Sequence, residues 1–203
     1  MFASCLKGNA GRVFGAETGG GRRRRGRVYH AEMTVPRPRA SEAAPAPAAP
    51  AERPAGVAIA HARLRDLPGI ARVQRRAFPP RLAYTLGTLL VLWALPWVRL
   101  LVARREGAIV GCVIGDRVLE SGRVINLAVD PAAQRQGIGG ALLLAIERSL
   151  PAGDMILMVH AGNLAARSLY RRVGYEDDTD LPDYYGPGRP GVRMRKRREA
   201  EGG

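Results

Sequence analysis

Lysine is almost absent from this chain of 203 residues, although 32 of them are basic. Lys7 and Lys196 are its two lysines, and arginine supplies the other 30 positive charges. Together with 25 glycines and 15 prolines, this bias is typical of a GC-rich coding sequence. The formal net charge of +14 is therefore a weak indication of nucleic-acid binding, and nucleic acid is not expected as the main partner.

Cysteine is also scarce. Cys5 lies in a low-complexity stretch and Cys112 lies in an apolar run, so the pair forms no disulfide framework and shows no metal-ligand spacing. No metal site is expected, and a reducing cytoplasm is the expected location.

The first quarter of the chain has little that can form a core. Residues 1–55 contain the run "GGGRRRRGR" and all but the last residue of "SEAAPAPAAPAERPAG", so we predict that they are disordered. Their Arg-rich, acid-poor start has two interpretations: an organelle transit peptide, or a start of translation at Met33. Residues 56–198 are predicted to form the globular domain, with a short tail at 199–203.

One long apolar segment, "AYTLGTLLVLWALPWVRLLV", covers residues 83–102. Its length would suit a membrane span, but Pro96 and Arg99 interrupt it. We interpret it as a buried amphipathic helix to about Trp93, a turn at Pro96, and a strand beginning at Trp97. An apolar surface for a partner or a membrane is the alternative, although a membrane is not expected as a partner.

The rest of the domain alternates short strands with helices. The hydrophobic patterns predict the order β-α-α-β-β-β-α-β-α-β. Asp66 is expected to cap the first helix, and Asn163 the last one. This order predicts an α/β fold with a mixed central sheet flanked by helices.

A polar, glycine-rich turn, "QRQGIGG" at residues 134–140, joins a strand to a helix. A helix N-terminus offers unpaired N–H groups, and Arg135 adds a charge, so the turn suits a phosphate or pyrophosphate. It lacks the Gly-Lys-Ser/Thr of a Walker loop, and its glycine spacing is not that of a Rossmann turn. A glycine-rich helix start without a ligand is the alternative interpretation.

Three blocks occur together in the order "NLAVDP", "QRQGIG" and "NLAARSLYRRVGY". Together they resemble the GNAT superfamily of acetyl-CoA-dependent N-acetyltransferases over about residues 57–197. The resemblance implies the GNAT (acyl-CoA N-acyltransferase) fold, acetyl-CoA as cosubstrate, and transfer of acetyl to an amine.

The resemblance also implies roles for individual residues. Strand backbone groups would bind the pantetheine amides, the glycine turn would hold the pyrophosphate, and a helix start would contact the cofactor. These cofactor-binding residues are Leu127, Ala128, Val129, Arg135, Gln136, Gly137, Ile138, Gly139, Gly140 and Asn163. Tyr170 would protonate the leaving thiolate, the alternative being a plain core aromatic.

Within the superfamily, "DLPGIARVQRRAFPP" and "DYYGPGRPGVRMRK" are similar to protein N-terminal acetyltransferases, including those that modify a ribosomal-protein alanine. Tyr184 and Tyr185 would then line the acceptor site, unless they only pack a hairpin. Relatives often carry Glu or His five residues before the helix-starting Asn, where this chain has Met158. His160 lies on the same face of the strand and is a candidate base, or a structural histidine.

The expected function is acetylation of a primary amine by direct attack, with a protein N-terminus as the favoured acceptor. A small-molecule amine acetyltransferase and a non-catalytic module that binds acetyl-CoA are the alternatives. The sequence leaves the acceptor, the general base and the oligomeric state open.

Overall fold

A computed structural model describes residues 54–150 and 153–198. The predicted disordered segment 1–55, apart from Pro54 and Ala55, and the predicted tail 199–203 lie outside the described residues. The described elements, in chain order, are β1 (Val57–His61), α1 (Leu67–Ala77), α2 (Leu86–Ala94), β2 (Val98–Arg105), β3 (Ala108–Val118), β4 (Ser121–Val129), α3 (Ile138–Ser149), β5 (Met155–His160), α4 (Leu164–Arg172), β6 (Glu176–Leu181) and β7 (Gly191–Lys196).

The seven strands form one sheet in the order β1-β2-β3-β4-β5-β7-β6. The β4–β5 pair is parallel and the other five neighbouring pairs are antiparallel. Helices cover both faces of the sheet, and each face has its own apolar cluster. The expected α/β fold with a mixed central sheet is therefore confirmed.

Each face of the sheet has its own hydrophobic core. Helices α3 and α4 cover one face, where Leu142, Ile146 and Tyr170 pack on strand residues such as Leu127. Helices α1 and α2 cover the other face, where Ile70 and Leu89 pack with Cys112 and Ala128. Alternate residues of one strand therefore contribute to different cores.

The start of α1 differs from the prediction. Asp66 does occupy the N-cap position, but its side chain caps no N–H group of α1. Its carboxylate instead accepts from the Arg63 backbone N–H at 2.7 Å and pairs with Arg104 at 2.5 Å. A short 3-10 turn at Leu64–Asp66 precedes the helix, and this turn directs the carboxylate back toward Arg63.

The apolar segment 83–102 also needs correction. Helix α2 begins after Thr85, whose hydroxyl accepts from the Thr88 N–H at 3.2 Å, and β2 begins at Val98 rather than Trp97. The helix is not buried as expected, because Leu89 and Leu92 are its only buried side chains. Among the described residues, no helix is long and apolar enough to cross a membrane.

Strand β6 was missed by the sequence analysis. Its sequence, "EDDTDL", has no apolar alternation because five of its six residues are exposed. It lies at the edge of the sheet and pairs with β7 alone. Arginines of α4 and β7 bind its carboxylates: Arg167 and Arg171 pair with Asp177, and Arg193 pairs with Asp178.

Candidate active site

The two parallel strands of the sheet separate toward their carboxyl ends. Their register contains three residue pairs, from Gly122 with Met155 to Val124 with Leu157. Beyond these pairs, β4 runs on to Val129 beside β3, and β5 runs on to His160 beside β7. A gap therefore opens between β4 and β5 at the edge where both strands end.

A bulge in β4 lies at the start of this gap. The register with β3 shifts so that Gly115 faces Val124 while Ile114 faces Asn126, leaving Ile125 as the extra residue. Such a bulge bends a strand and increases its local twist. The bend therefore coincides with the place where β4 leaves β5.

The bulge also places a buried polar pair that the sequence analysis did not identify. Gln74 of α1 donates to the side-chain oxygen of Asn126 at 2.6 Å, and to the Cys112 sulfur at 3.5 Å. Gln74 is 0% and Asn126 1% exposed. The signal for this pair in the sequence is Asn126, a polar residue inside the apolar strand "VINLAV", since a buried side-chain amide needs a hydrogen-bond partner.

The glycine turn occupies the same edge as the gap. A short 3-10 turn at Pro131–Ala133, capped by the Asp130 carboxylate, leads from β4 to Gln134. Gln134 donates to the Val129 carbonyl at 3.1 Å, while Arg135, Gln136 and Gly137 are exposed. The turn therefore presents a guanidinium and backbone N–H groups to solvent beside the gap.

Two positions of the turn require glycine for different structural reasons. Gly137 caps α3 with φ of 77°, in the left-handed region that side chains disfavour. A Cβ on Gly139 would lie 3.0 Å from the Leu169 side chain of α4. Gly137 therefore shapes the turn, whereas Gly139 allows α3 and α4 to approach closely. Ile138 and Gly140 are buried, so their backbone groups are what they can offer a ligand.

The strand residues expected to bind the cofactor lie along the β4 side of the gap. Leu127 and Val129 point into the core beneath α3, and Ala128 into the core beneath α1 and α2. In chain order, these residues are 1%, 0% and 2% exposed as whole residues, so what β4 offers a ligand is the backbone edge that β5 does not pair with beyond Val124. The side-chain amide of Gln134 already binds the carbonyl of Val129.

The start of α4 lies at the same edge, because β5 is parallel to β4 and α4 follows it. Asn163 caps this helix by accepting from the Ala166 N–H at 3.3 Å, as expected. Tyr170 lies farther along α4, 4% exposed, with its ring centroid 6.0 Å from that of Tyr175. The N-termini of α3 and α4 and the open end of the gap therefore come together.

The candidate base and the two tyrosines expected at the acceptor site form one cluster at the carboxyl end of β5. The His160 ring lies 5.7 Å from that of Tyr185, which packs edge-on against Tyr184 at 4.9 Å. His160 also pairs in register with Gly191, where a Cβ would lie 3.1 Å from Tyr184. The structure therefore brings His160 close to Tyr184 and Tyr185, which follow it by more than twenty residues in the sequence.

Met158 shares the face of β5 with His160, as the strand period predicts. Exposure along β5 alternates, and Met158 and His160 are both half-buried. Met158 packs against the core beneath α1 and α2, whereas Tyr170 belongs to the core beneath α3 and α4. The candidate base and the candidate acid therefore lie on opposite faces of the sheet.

His160 has a hydrogen bond that bears on its chemistry. Its Nδ1 accepts from the Gly162 backbone N–H at 3.1 Å. Neutral histidine has one acceptor nitrogen, so Nε2 carries the proton while this bond exists. Proton uptake by His160 at Nδ1 therefore requires the Gly162 bond to break.

The thiol of Cys112, which is buried in the core beneath α1 and α2, is not reactive. Burial raises its pKa to about 12, although hydrogen bonds from Gln74 and the Ala128 backbone oppose the shift. Because the thiolate is the reactive form, Cys112 is a packing residue here. Within the described residues, no group of three or more His, Cys, Asp or Glu is arranged to hold a metal ion.

A mixed sheet that opens between two parallel strands, with a glycine turn at the open end, is an arrangement that can hold an extended acyl-nucleotide. Comparison with known proteins gives the class. The family profile described as an acetyltransferase (GNAT) domain matches residues 96–177. An uncharacterized N-acetyltransferase of Methanocaldococcus jannaschii is 31% identical over 138 residues, covering 66% of this chain and 87% of that protein.

Two further similarities are to enzymes that are named for the same activity. The [ribosomal protein bS18]-alanine N-acetyltransferase of Escherichia coli is 36% identical over 84 residues, covering 40% of this chain and 57% of that enzyme. The crystal structure of the ribosomal-protein-S18-alanine N-acetyltransferase from Escherichia coli superposes with a TM-score of 0.62 at 26% identity. That match covers 72% of this chain and 96% of the other.

The chain belongs to the GNAT family of N-acetyltransferases. It is an acyltransferase, and acetyl-CoA is its cosubstrate. The residues present fit that cosubstrate, since β5 does not pair with the edge of β4 beyond Val124 and the turn at Gly137 exposes N–H groups beside the positive charge of Arg135.

Proposed function

We propose that this enzyme acetylates the N-terminal amine of a protein. The observation that carries the proposal is the cluster of His160, Tyr184 and Tyr185 at the open end of the gap. Aromatic side chains at a cleft suit an extended peptide, because they offer apolar contact together with polar edges. The similarity to ribosomal-protein alanine acetyltransferases supports the same acceptor class.

The proposal gives each element at the gap a task. The backbone of Leu127, Ala128 and Val129 binds the pantetheine amides, and the turn from Arg135 to Gly140 binds the pyrophosphate. Asn163 contacts the cosubstrate from the start of α4. Tyr184 and Tyr185 line the path of the acceptor. Free Cys112 is consistent with the cytoplasmic location that belongs to this proposal.

The reaction follows as a direct transfer. Acetyl-CoA supplies an activated acetyl thioester. The neutral amine forms a C–N bond to the acetyl carbon, the C–S bond breaks, and Tyr170 Oη gives its proton to the sulfur. His160 takes the proton that the amine loses at Nδ1, once the Gly162 N–H bond to that nitrogen has broken.

The acceptor is tested with the full chain and acetyl-CoA, by following CoA release. The acceptors are peptides that differ in their first residue, the same peptides blocked at the N-terminus, and small amines such as spermidine and an aminoglycoside. We expect transfer to free N-termini, including N-terminal alanine. Transfer to small amines and not to peptides would contradict the proposal.

The role of His160 is tested by a pair of variants. The Asn side-chain oxygen in His160→Asn can accept from the Gly162 N–H but cannot act as a base near neutral pH, whereas His160→Ala can do neither. If His160 is the base, both variants lose about 100-fold or more in kcat. Both variants should retain the acetyl-CoA affinity of the parent chain.

Recovery of activity in His160→Asn alone would mean that the histidine only holds the loop. In that case the base for the reaction lies elsewhere, and the peptide assay above is unaffected.

A further inference from the structure

Helix α2 presents an apolar surface that no other described element covers. Leu86, Leu90 and Trp93 recur at helical spacing on one face and are 50%, 46% and 38% exposed. Beside them, Val91 is 61% exposed, and Trp97, just beyond the helix, is 57% exposed. We call these five residues the α2 patch.

The patch is held firmly in place. Leu89 and Leu92 anchor the helix in the core, and the Thr85 cap holds its start. The Trp93 indole N–H donates to the Ala62 carbonyl at 3.0 Å, which fixes that ring at the surface. An exposed apolar surface that is ordered in this way is typical of an interaction site.

The sequence around the patch carries charge of one sign. From residue 67 to residue 105 the chain contains seven arginines and no aspartate or glutamate, and two of these arginines, Arg76 and Arg104, pair with aspartates outside the segment. Arg81 and Arg99 flank the helix and are both exposed. Arg99 donates to the Pro96 carbonyl at 2.7 Å, a neutral group, so it keeps its net charge.

We propose that the α2 patch docks on an anionic phospholipid surface, with the helix lying in the plane of the headgroups. Exposed leucine, valine and tryptophan side chains, with an arginine beyond each end of the helix, suit the boundary between the headgroups and the acyl chains of an anionic bilayer. Tryptophan has a specific preference for this zone of a bilayer. The proposal concerns a surface contact and departs from the expectation that no membrane is a partner.

Other occupants fit the patch less well. A second copy of the chain would bring the same arginines face to face, which costs free energy. A nucleic acid would satisfy the arginines but leave Leu90 and Val91 against a charged backbone. A lipid surface satisfies both the charge and the apolar side chains.

The chain carries its own probe of this contact, because its two tryptophans are Trp93 and Trp97. The full chain is mixed with vesicles of phosphatidylcholine, with or without 30 mol% phosphatidylglycerol. We expect a blue shift of tryptophan emission and quenching by brominated acyl chains with anionic vesicles only. Binding should weaken as salt is raised, because salt screens the arginines.

A matched pair of variants tests the surface itself. Leu90→Glu/Val91→Glu changes two exposed residues of the patch and is expected to lower vesicle partitioning at least tenfold. Leu119→Glu alters an apolar residue that is 86% exposed in the β3–β4 turn, and should bind like the parent chain. Trp97→Ser provides a second patch variant outside the helix, and thermal shift by acetyl-CoA checks that each variant is folded.

Three results would overturn the proposal. The first is sedimentation with anionic vesicles without a change in tryptophan emission, which would place binding in the Arg-rich residues 1–55. The second is a concentration-dependent blue shift without vesicles, which would indicate a second copy. The third is a shift produced by RNA and not by vesicles.

Discussion

Tyr170 shows how one side chain can serve both packing and chemistry. It belongs to the core beneath α3 and α4 and is 4% exposed, yet it comes from the helix whose start lies at the open gap. Tyr175 lies beside it, 1% exposed. Burial and the neighbouring Glu147 carboxylate raise the Tyr175 pKa well above its ordinary value, which leaves Tyr175 a poor proton donor.

This pair of tyrosines supports a matched test of the proposed acid. Tyr170→Phe removes the proton donor, so we expect kcat to fall about 100-fold or more while acetyl-CoA binding is retained. Tyr175→Phe removes a neighbouring hydroxyl from the same core, and kcat should stay within about threefold. Steady-state kinetics with a peptide acceptor measures both variants. Equal losses in the two would show that Tyr170 acts through packing.

At the scale of elements, the junction between β4 and α3 carries most of the cosubstrate site. The bulge at Ile125 turns β4 away from β5, and the Asp130 carboxylate closes the next turn. Arg76 of α1 also pairs with Asp130 at 2.8 Å, so the junction is tied to the opposite layer. The glycine turn therefore starts from a fixed point, which favours binding without further ordering.

A matched pair of glycine variants separates the role of the turn in acetyl-CoA binding from the strain of its backbone. Gly137 and Gly107 both have φ of 77°, and Gly107 lies outside the glycine turn, in the turn between β2 and β3. Replacing either by alanine places a side chain in the left-handed region, at a cost of about 1–2 kcal/mol in unfolding free energy. We expect weaker acetyl-CoA binding in Gly137→Ala and unchanged binding in the control variant Gly107→Ala, both measured by calorimetry. Equal affinity in both variants would contradict a role for the turn in pyrophosphate binding.

At the scale of the whole molecule, arginine–aspartate pairs join elements that are distant in sequence. Arg104 of β2 pairs with Asp66 before α1, and Arg195 of β7 pairs with Asp154 before β5. Burial alone would raise the Asp66 pKa, but the Arg63 N–H and the Arg104 guanidinium lower it below 3.8, its ordinary value. The Arg195 hydrogen bond similarly lowers the Asp154 pKa.

These shifts predict how stability depends on acid. A lowered pKa in the folded state stabilises the fold at neutral pH, and this contribution is lost as the pH falls below the ordinary value. Asp66→Asn should therefore lower the unfolding free energy by about 1–3 kcal/mol at pH 7. The deficit should shrink as the pH falls below 4, when parent and variant are compared by urea unfolding. A deficit that stays constant with pH would exclude an electrostatic origin.

Much of the fold was accessible from local patterns. The hydrophobic patterns predicted α3 and α4, and they predicted the three successive strands that the structure shows as β2, β3 and β4. Strand β6 was missed because an edge strand held by arginines needs no apolar face. Helix α2 was expected to be buried because its composition is apolar, and composition alone does not show how many neighbours a helix has.

The family, the order of most elements and the glycine turn follow from local sequence patterns, since each of these depends on residues close together in the chain. The tertiary structure was needed to locate the gap between β4 and β5, because a bulge depends on the register between strands. It also decided that His160, Tyr184 and Tyr185 meet, that Tyr170 lies across the sheet from them, and that α2 faces solvent. These relations depend on contacts between distant segments, which no local pattern specifies.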